Sequence, residues 1–276
     1  MTRHLNQTLL LPQDRMDQCA IGIIGQGAIG SFVSMALTKM GFKNVIVWDH
    51  DKYEEHNIPT QMCPIDGVGK RKVIVARDMV KQFSGEDIIA VATKVTGEKA
   101  YDYLSDTFPS HKLIMIMAVD SLDVRRALVE GFRKAYGLWV VDARMGAKTY
   151  RVMTFWPDHA DQFTDYMSTL VSDADAVQER CGQKSIIYTV LGVAAEVCAF
   201  VHSIAMQDEG GINTSPHPVI FDYGTGIRMQ ERRVQGETLD FTDDAPPVPE
   251  IVLGEPVTHA RGINAYIADQ RGNDPF

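Results

Sequence analysis

The segment that most constrains the fold is a glycine-rich turn between an apolar run and a helical pattern, CAIGIIGQGAIGSF at residues 19–32. The apolar run Ile21–Ile24 predicts a buried parallel strand, because a strand covered on both faces reads as continuously hydrophobic. The following residues, Ser31–Met40, have the periodicity of a helix. The chain therefore begins with a strand, a tight turn and a helix, which is the start of a nucleotide-binding α/β unit.

The glycines of this turn, Gly25, Gly27 and Gly30, have the spacing G-x-G-x-x-G. Glycine permits a tight turn and a close approach of the backbone to a phosphate. The helix that follows presents free N–H groups and the positive end of its dipole, so Ala28 and Ile29 are predicted to face the same ligand. The spacing alone is a weak signal, and its position between strand and helix strengthens it.

An aspartate follows the second predicted strand. Asp49 ends the run Asn44–Asp49, about 20 residues after Gly30, where a carboxylate can accept hydrogen bonds from ribose hydroxyls. The turn and Asp49 are shared with NAD(P)-dependent Rossmann oxidoreductases, and that class remains an alternative at this point.

Composition excludes some classes of function. The chain has 276 residues and a formal net charge of −9, which argues against nonspecific binding of nucleic acid. The sequence shows no stretch with the length of a membrane span and no signal peptide, so no membrane partner is expected. Its four cysteines are scattered without a C-x-x-C pair, which is typical of free thiols in a reducing cytoplasm, and a cytoplasmic location is expected.

Alternating strand and helix patterns predict an α/β, Rossmann-like fold, with a mostly parallel sheet covered by helices on both faces. Ligands of such sheets bind at the carboxyl ends of the strands. Residues 156–183 are polar and are interpreted as an irregular crossover loop. Residues 1–236 are predicted to form the nucleotide-binding domain, and residues 237–276 an acidic, proline-rich linker and tail. The predicted strands are Ala20–Ile24, Asn44–Asp49, Ile88–Val95, Leu113–Asp120, Leu138–Arg144 and Arg151–Phe155, and the predicted helices are Ser31–Met40, Lys70–Phe83, Leu122–Tyr136 and Ile186–Ala205.

Four motifs follow the glycine turn in a fixed order. They are the acidic turn at Asp51, the segment Asn57–Gln61 (NIPTQ), the run Val68–Lys72 (VGKRK) and the segment Ala118–Arg125 (AVDSLDVR). Their combined order resembles the ThiF/MoeB/HesA family, the prokaryotic relatives of ubiquitin-activating enzymes. The resemblance covers roughly residues 3–206 and implies a ThiF-like fold.

This resemblance implies ATP-dependent adenylation of a carboxylate by a homodimer. The implied substrate is the C-terminal glycine of a ubiquitin-like or sulfur-carrier protein. A peptide or a small carboxylic acid is an alternative substrate that the sequence does not separate from it. The resemblance implies these roles: Asp49 and Asp51 at the nucleotide, Asn57 and Gln61 on its phosphate side, Lys72 on the triphosphate, and Asp120 as the ligand of Mg²⁺.

Two positions depart from the family pattern. Thr60 stands where the family places an arginine on the phosphates, and Asn6 aligns with a second arginine that reaches across the dimer. Lys70, Arg71 and Arg15 are candidates to replace the lost positive charge. A third alternative follows, in which the chain is a degenerate module that binds nucleotide or a partner without turnover.

The cysteines give three further expectations, and Arg125 gives one more. Many family members bind a structural zinc through two C-x-x-C pairs, which this chain lacks, so no zinc is expected. Cys181 lies in QERCGQKS before an apolar helix, where relatives that form thioesters place a nucleophilic cysteine, and Arg180 and Lys184 favour its thiolate. Cys198 is expected in the core, and Arg125 is expected to pair with a carboxylate.

Overall fold

The computed structural model describes residues 4–170, 186–207 and 219–230. All of them belong to the first of two units of the chain, Met1–Arg233. The domain boundary predicted at residue 236, the tail 237–276 and Cys181 lie outside the described residues.

The described residues contain eight strands and seven α-helices. The strands are β1 (Cys19–Ile24), β2 (Val45–Trp48), β3 (Ile89–Val91), β4 (Lys112–Met117), β5 (Trp139–Gly146), β6 (Thr149–Phe155), β7 (Val219–Asp222) and β8 (Ile227–Gln230). The helices are α1 (Gln13–Asp17), α2 (Ala28–Met40), α3 (Lys72–Ser84), α4 (Gly97–Thr107), α5 (Leu122–Gly131), α6 (Ala160–Ser168) and α7 (Ile187–Ala205).

All eight strands form one sheet, in the order β3-β2-β1-β4-β5-β6-β7-β8. The first five strands of this order are parallel, whereas β6, β7 and β8 add to it as antiparallel strands. The chain runs from β1 outward to β3 and then returns to place β4 on the other side of β1. This reversal opens a crevice at the carboxyl ends of β1 and β4, where ligands of such sheets bind.

Helices cover both faces of the sheet, as predicted. Along β1, Ile21 and Ile23 join a buried cluster with α2, α3 and α7, whereas Ala20 and Ile24 join a second cluster with α4, α5 and α6. This alternation follows from the two-residue period of a strand. Because both faces are buried, β1, β2 and β4 read as largely apolar runs, and this is why the sequence revealed them.

Helix α1 was not predicted, α5 ends at Gly131 and not at the predicted Tyr136, and three further features differ from the sequence-based expectation. Helix α4 was not predicted, and it begins at the N-cap Thr96, whose hydroxyl accepts a hydrogen bond from the N–H of Lys99 at 3.4 Å. Helix α6 lies inside the segment 156–183 that was expected to be irregular. The hairpin of β7 and β8 was also missed. Helices α4 and α6 bury only a narrow apolar face, so their sequences look polar overall.

Helix α7 corrects the expectation about membrane-length apolar stretches. It has 19 residues with a mean hydropathy of 1.7, and by length and composition it could cross a membrane. Half of its most apolar 18 residues are buried, and the helix packs on α2, β5 and β6. A core helix of a globular protein passes the same test, and the burial of α7 is that of a core helix.

Candidate nucleotide-binding site

The glycine turn connects β1 to α2, and its geometry requires glycine at two positions. Gly25 has φ +99°, and a Cβ atom there would lie 2.6 Å from the carbonyl oxygen of Ala118. A Cβ atom at Gly30 would lie 1.8 Å from the carbonyl oxygen of Gly25. Gly27 precedes the first residue of α2, and a Cβ atom there would meet no other atom within 4 Å. The turn is therefore closed on its protein side and open on the side where a phosphate would approach.

Asp49 lies directly after β2 and beside this turn. One carboxylate oxygen accepts a hydrogen bond from the backbone N–H of Gln26 at 2.7 Å, and the other accepts one from the N–H of Asp51 at 2.7 Å. The residue is 8 % exposed. Each oxygen keeps a second lone pair, so the carboxylate can still accept hydrogen bonds from ribose hydroxyls while it holds the two loops together.

The segment that carries Asn57 and Gln61 folds against the first turn of α2. The Asn57 side-chain oxygen accepts a hydrogen bond from the N–H of Glu54 at 2.9 Å, and the N–H of Gln61 donates to the Asn57 carbonyl at 2.9 Å. The next N–H, of Met62, donates to the Ser31 hydroxyl at 3.0 Å. Within the described part of the chain, the buried side-chain oxygen of Gln61 has no hydrogen-bond partner. An acceptor of this kind is suited to a donor supplied by a ligand.

Lys72 is a buried cation at the start of α3. The residue is 8 % exposed, and its Nζ lies 3.2 Å from a carboxylate oxygen of Asp51. The backbone N–H of Lys72 also donates to the carbonyl of Asp51 at 3.0 Å. Asp51 in turn donates its N–H to Asp49, so the lysine is tied to the loop that carries the predicted ribose ligand. The other Asp51 oxygen lies 3.2 Å from His50 Nε2.

The neighbouring cations, which were candidates to replace the missing arginines, have protein partners. Lys70 is exposed and lies 3.2 Å from Asp66. The guanidinium of Arg71 donates to the carbonyl of His50. Thr60 donates its N–H to the Asn57 carbonyl at 3.1 Å and adds no charge. Lys72 is therefore the predicted cation that the structure places in a buried position.

Asn6 lies far from the glycine turn of its own chain. The adjacent side chain of Gln7 donates to the carbonyl of Met40, the last residue of α2. The glycine turn lies at the other end of this 13-residue helix, about 20 Å away at 1.5 Å per residue. Asn6 therefore cannot contribute to the site formed by its own chain.

Asp120 lies at the same edge of the sheet, three residues after β4 ends at Met117. The loop between them passes the turn, since the Ala118 carbonyl is the group that a Cβ at Gly25 would meet. Asp120 is exposed, and no described side chain pairs with its carboxylate. An exposed carboxylate next to a phosphate site fits Mg²⁺, which prefers oxygen ligands and usually retains several waters.

A buried ion pair holds this loop in place. Arg125 is 3 % exposed and pairs with Asp142, which confirms the expectation that it binds a carboxylate. Its guanidinium also donates to the carbonyls of Met117, Val119 and Ala143. Met117 is the last residue of β4, whereas Asp142 and Ala143 lie within β5, so the pair joins the end of β4 and the loop after it to the middle of β5.

Sequence reasoning missed Asp142 and Arg144 next to Arg125, and it missed the buried Ser31 and Ser34 of α2. Arg144 donates through Nε to the second oxygen of Asp142 at 2.5 Å. Burial opposes the charge of Arg144, yet Asp142 keeps the pKa of its guanidinium above the ordinary value. In the sequence, Asp142 is marked only by its position directly after the apolar residues 138–141.

The described cysteines are all free thiols: Cys19, Cys63 and Cys198. Cys198 is buried in α7, as expected, and burial raises its pKa to about 12. The predicted nucleophile Cys181 lies outside the described residues.

With this geometry in view, comparison with known proteins gives the class of the chain. The model of the ThiF family matches residues 2–238. The chain belongs to the ThiF family, as its motifs implied, and this membership supports an activating chemistry of the adenylyltransferase type.

A curated relative is the NEDD8-activating enzyme E1 catalytic subunit of Arabidopsis thaliana. It is 28% identical over 118 residues, which are 42% of this chain and 25% of the relative. The match thus spans about a quarter of that protein's length.

Solved structures share the fold at lower identity. MccB of E. coli with succinimide has a TM-score of 0.63 at 18% identity, and the match covers 83% of this chain and 71% of MccB. PaaA has a TM-score of 0.61 at 17% identity, with coverage of 83% and 68%. MccB has also been solved with ATP, with a TM-score of 0.59, 17% identity and coverage of 84% and 71%.

Proposed function

We propose that this chain uses ATP to adenylate a carboxylate, and that the carboxylate is the C-terminal glycine of a ubiquitin-like or sulfur-carrier protein. The observation that carries the proposal is the buried Lys72, tied through Asp51 to the loop of Asp49. An oxidoreductase that binds NAD(P) needs the glycine turn and Asp49, but it has no use for a buried cation at this place.

In the proposed reaction a substrate carboxylate oxygen attacks the α-phosphorus of ATP. A bond forms between them, the bond from this phosphorus to the bridging oxygen breaks, and pyrophosphate leaves with the electron pair. Asp49 holds the ribose, and the N–H groups at the start of α2 face the phosphates. Lys72 stabilises the negative charge that builds up on the leaving group. Asp120 would hold Mg²⁺, which would supply further neutralisation of the phosphates when bound.

A second substrate class is a peptide or a small carboxylic acid. MccB, which shares the fold, is a biosynthetic enzyme solved with N-formylated MccA as well as with ATP. The name of the Arabidopsis relative instead points to activation of NEDD8. The residues named above serve either substrate, so the two classes differ only in what presents the carboxylate.

We also propose that the chain acts as a homodimer. Asn6 lies at the end of α2 opposite the glycine turn, so its segment can approach a nucleotide site only in a second copy. Cys181 is proposed to attack the adenylate and form a thioester, with AMP as the leaving group.

The proposal is tested by isothermal titration of the full chain with ATP and NAD, each with and without Mg²⁺. ATP should bind more tightly than NAD, and its binding should depend on Mg²⁺. Binding of NAD without binding of ATP would overturn the proposal and favour the oxidoreductase class. ATP binding without pyrophosphate exchange, for any carrier protein, peptide or small acid offered, would favour the degenerate binding module.

The role of Cys181 is tested separately. With ATP and an accepted carrier protein, the chain should form a covalent adduct that dithiothreitol releases, and Cys181→Ala should not form it. Pyrophosphate exchange should persist in this variant, because adenylation precedes attack by the thiol. An adduct that still forms in Cys181→Ala would remove Cys181 from the reaction.

A further inference from the structure

Gln26 occupies the position between the first two glycines of the turn, and its side chain points inward. The residue is fully buried. Its side-chain oxygen lies 3.2 Å from the hydroxyl of Ser34, whose single proton is shared between this oxygen and the Ser31 carbonyl at 3.1 Å. The side-chain nitrogen of Gln26 donates to the Gly25 carbonyl at 3.3 Å. Gln26 is therefore held on both sides by polar contacts beneath the turn.

The backbone of the same residue orients Asp49. The N–H of Gln26 donates to one Asp49 oxygen at 2.7 Å, so the direction of this peptide group decides where the carboxylate lies. Gln26 is flanked by Gly25 and Gly27, and glycine restricts the backbone least of all residues. The peptide between two glycines needs a restraint from elsewhere, and the contact of the Gln26 side chain with Ser34 supplies it.

Helix α2 links this restraint to the second half of the site. Ser31 and Ser34 lie on one face of the helix, three residues apart, and both are buried. Ser34 holds Gln26, whereas Ser31 accepts the hydrogen bond from the N–H of Met62, next to Gln61. The two serines set the glycine turn and the 57–62 loop against a single rigid element.

We propose that Gln26 is a positioning residue, which acts through its contact with Ser34 to aim the Asp49 carboxylate at the ribose of the nucleotide. The inference rests on the proposed function, because it assumes that the ligand carries a ribose. Gln26 itself touches no ligand atom in this role. Its effect is to set the orientation of Asp49 before the nucleotide binds, so that little ordering is needed on binding.

The test uses the affinities of the full chain for Mg-ATP and for 2′,3′-dideoxy-ATP, which lacks both ribose hydroxyls. Wild type should prefer ATP. Gln26→Met keeps the length of the side chain and removes its hydrogen bonds, and it should reduce this preference about fivefold, the effect of one hydrogen bond. Ser34→Ala should reduce it in the same direction. The double variant should be no worse than the worse single variant, because both changes break one contact.

The preference is a ratio of two affinities, and a smaller folded fraction lowers both affinities alike. The matched control is Gln82→Met, at an exposed position of α3, which should keep the wild-type ratio. A Gln26→Met variant that weakens both nucleotides equally, or neither, would overturn the role of Gln26 and leave the proposed function intact. Failure of wild type to bind ATP would overturn the proposed function first, and this role with it.

A measurement on wild type covers the case in which the variants do not fold. Hydrogen exchange of the Gln26 amide should already be slow without nucleotide, since its N–H is bonded to a carboxylate that is fixed in advance. Fast exchange that slows only when ATP is added would show that the ligand orders the turn, and would contradict the proposal.

Discussion

Among single residues, Lys72 is the buried cation of the proposed ATP site, where it pairs with Asp51. Lys72→Ala should raise the Kd for ATP by about ten- to a hundredfold, because a hydrogen bond to a charged group contributes about 1.5–3 kcal/mol. The measurement is isothermal titration with Mg-ATP.

The matched control for this change is Lys134→Ala. Lys134 is an exposed lysine after α5, and its removal should leave the Kd for ATP unchanged. Equal effects of the two variants would show that Lys72 acts only through the net charge of the chain.

Two buried thiols set a pH dependence of stability. Burial raises the pKa of Cys19 to about 11 and that of Cys198 to about 12, from 9.0. Well below pH 9 both thiols are protonated in the folded and unfolded states, so their titration does not change the free energy of unfolding. As the pH rises above 9 the unfolded thiols lose protons that the folded ones keep, so the free energy of unfolding falls.

Urea unfolding between pH 8 and pH 11 tests this expectation. Replacing Cys19 and Cys198 together by alanine should make the decline shallower, without abolishing it, because burial also raises the pKa of Tyr150 to about 12. Cys63→Ala, at a partly exposed thiol, should leave the slope closer to that of wild type. If the free energy of unfolding declined with pH in the double variant as steeply as in wild type, Cys19 and Cys198 would not be its cause.

Candidate site residues could be named from the sequence, but their mutual contacts could not. The glycine turn, Asp49 and Asn57 follow from local patterns and family order. The pairing of Lys72 with Asp51 and of Arg125 with Asp142 depends on which loops meet at the edge of the sheet, which no local pattern contains. The expectation that Arg125 binds a carboxylate was confirmed, but the sequence did not identify the carboxylate.

At the scale of elements, strands buried on both faces were predicted well, and of the half-exposed helices α3 and α5 were found from the sequence whereas α4 and α6 were not. Helices α2 and α7 are rich in apolar residues and were found from the sequence. Helices α4 and α6 each bury only a few residues: Gly97, Ala100 and Leu104 in α4, and Phe163 and Tyr166 in α6.

Helix α4 meets α5 through a pair of glycines. A Cβ at Gly97 would lie 2.0 Å from the carbonyl oxygen of Leu128 and 3.0 Å from the Cα of Gly131. Gly97→Ala should therefore push the helices apart and lower the free energy of unfolding by about 1–3 kcal/mol, the usual cost of overpacking. Chemical denaturation measures the loss.

The control for this contact is Ser105→Ala in the same helix, at a half-exposed position where the hydroxyl bonds only to its own helix. It should have little effect on stability. Full stability in Gly97→Ala would show that α4 is free to move away from α5 without loss.

At the scale of the whole molecule, the order of the strands is the feature that local patterns could not give. Parallel strands pair across long connections, so the place of β1 between β2 and β4 follows from the fold of the family and not from any one segment. The hairpin of β7 and β8 extends the sheet far from the nucleotide edge, and nothing in the family motifs indicated it.

The proposed homodimer is a further prediction at this scale. Sedimentation equilibrium should give a mass of twice the 30.7 kDa of one chain. If Asn6 serves the site of its partner, Asn6→Ala and Lys72→Ala chains mixed after dissociation should form some dimers with one intact site. Pyrophosphate exchange should then exceed that of either variant alone. A monomer at micromolar concentration would contradict the proposal.

The two hydrogen bonds that Asp49 accepts have a consequence for tracing the history of such chains. An asparagine at this place would turn an amide hydrogen towards a backbone N–H, so folding itself favours an acceptor-only side chain there. Selection for stability can then preserve the aspartate in a descendant that no longer encounters any nucleotide. Among related genes, loss of Lys72 would mark loss of activity sooner than loss of Asp49.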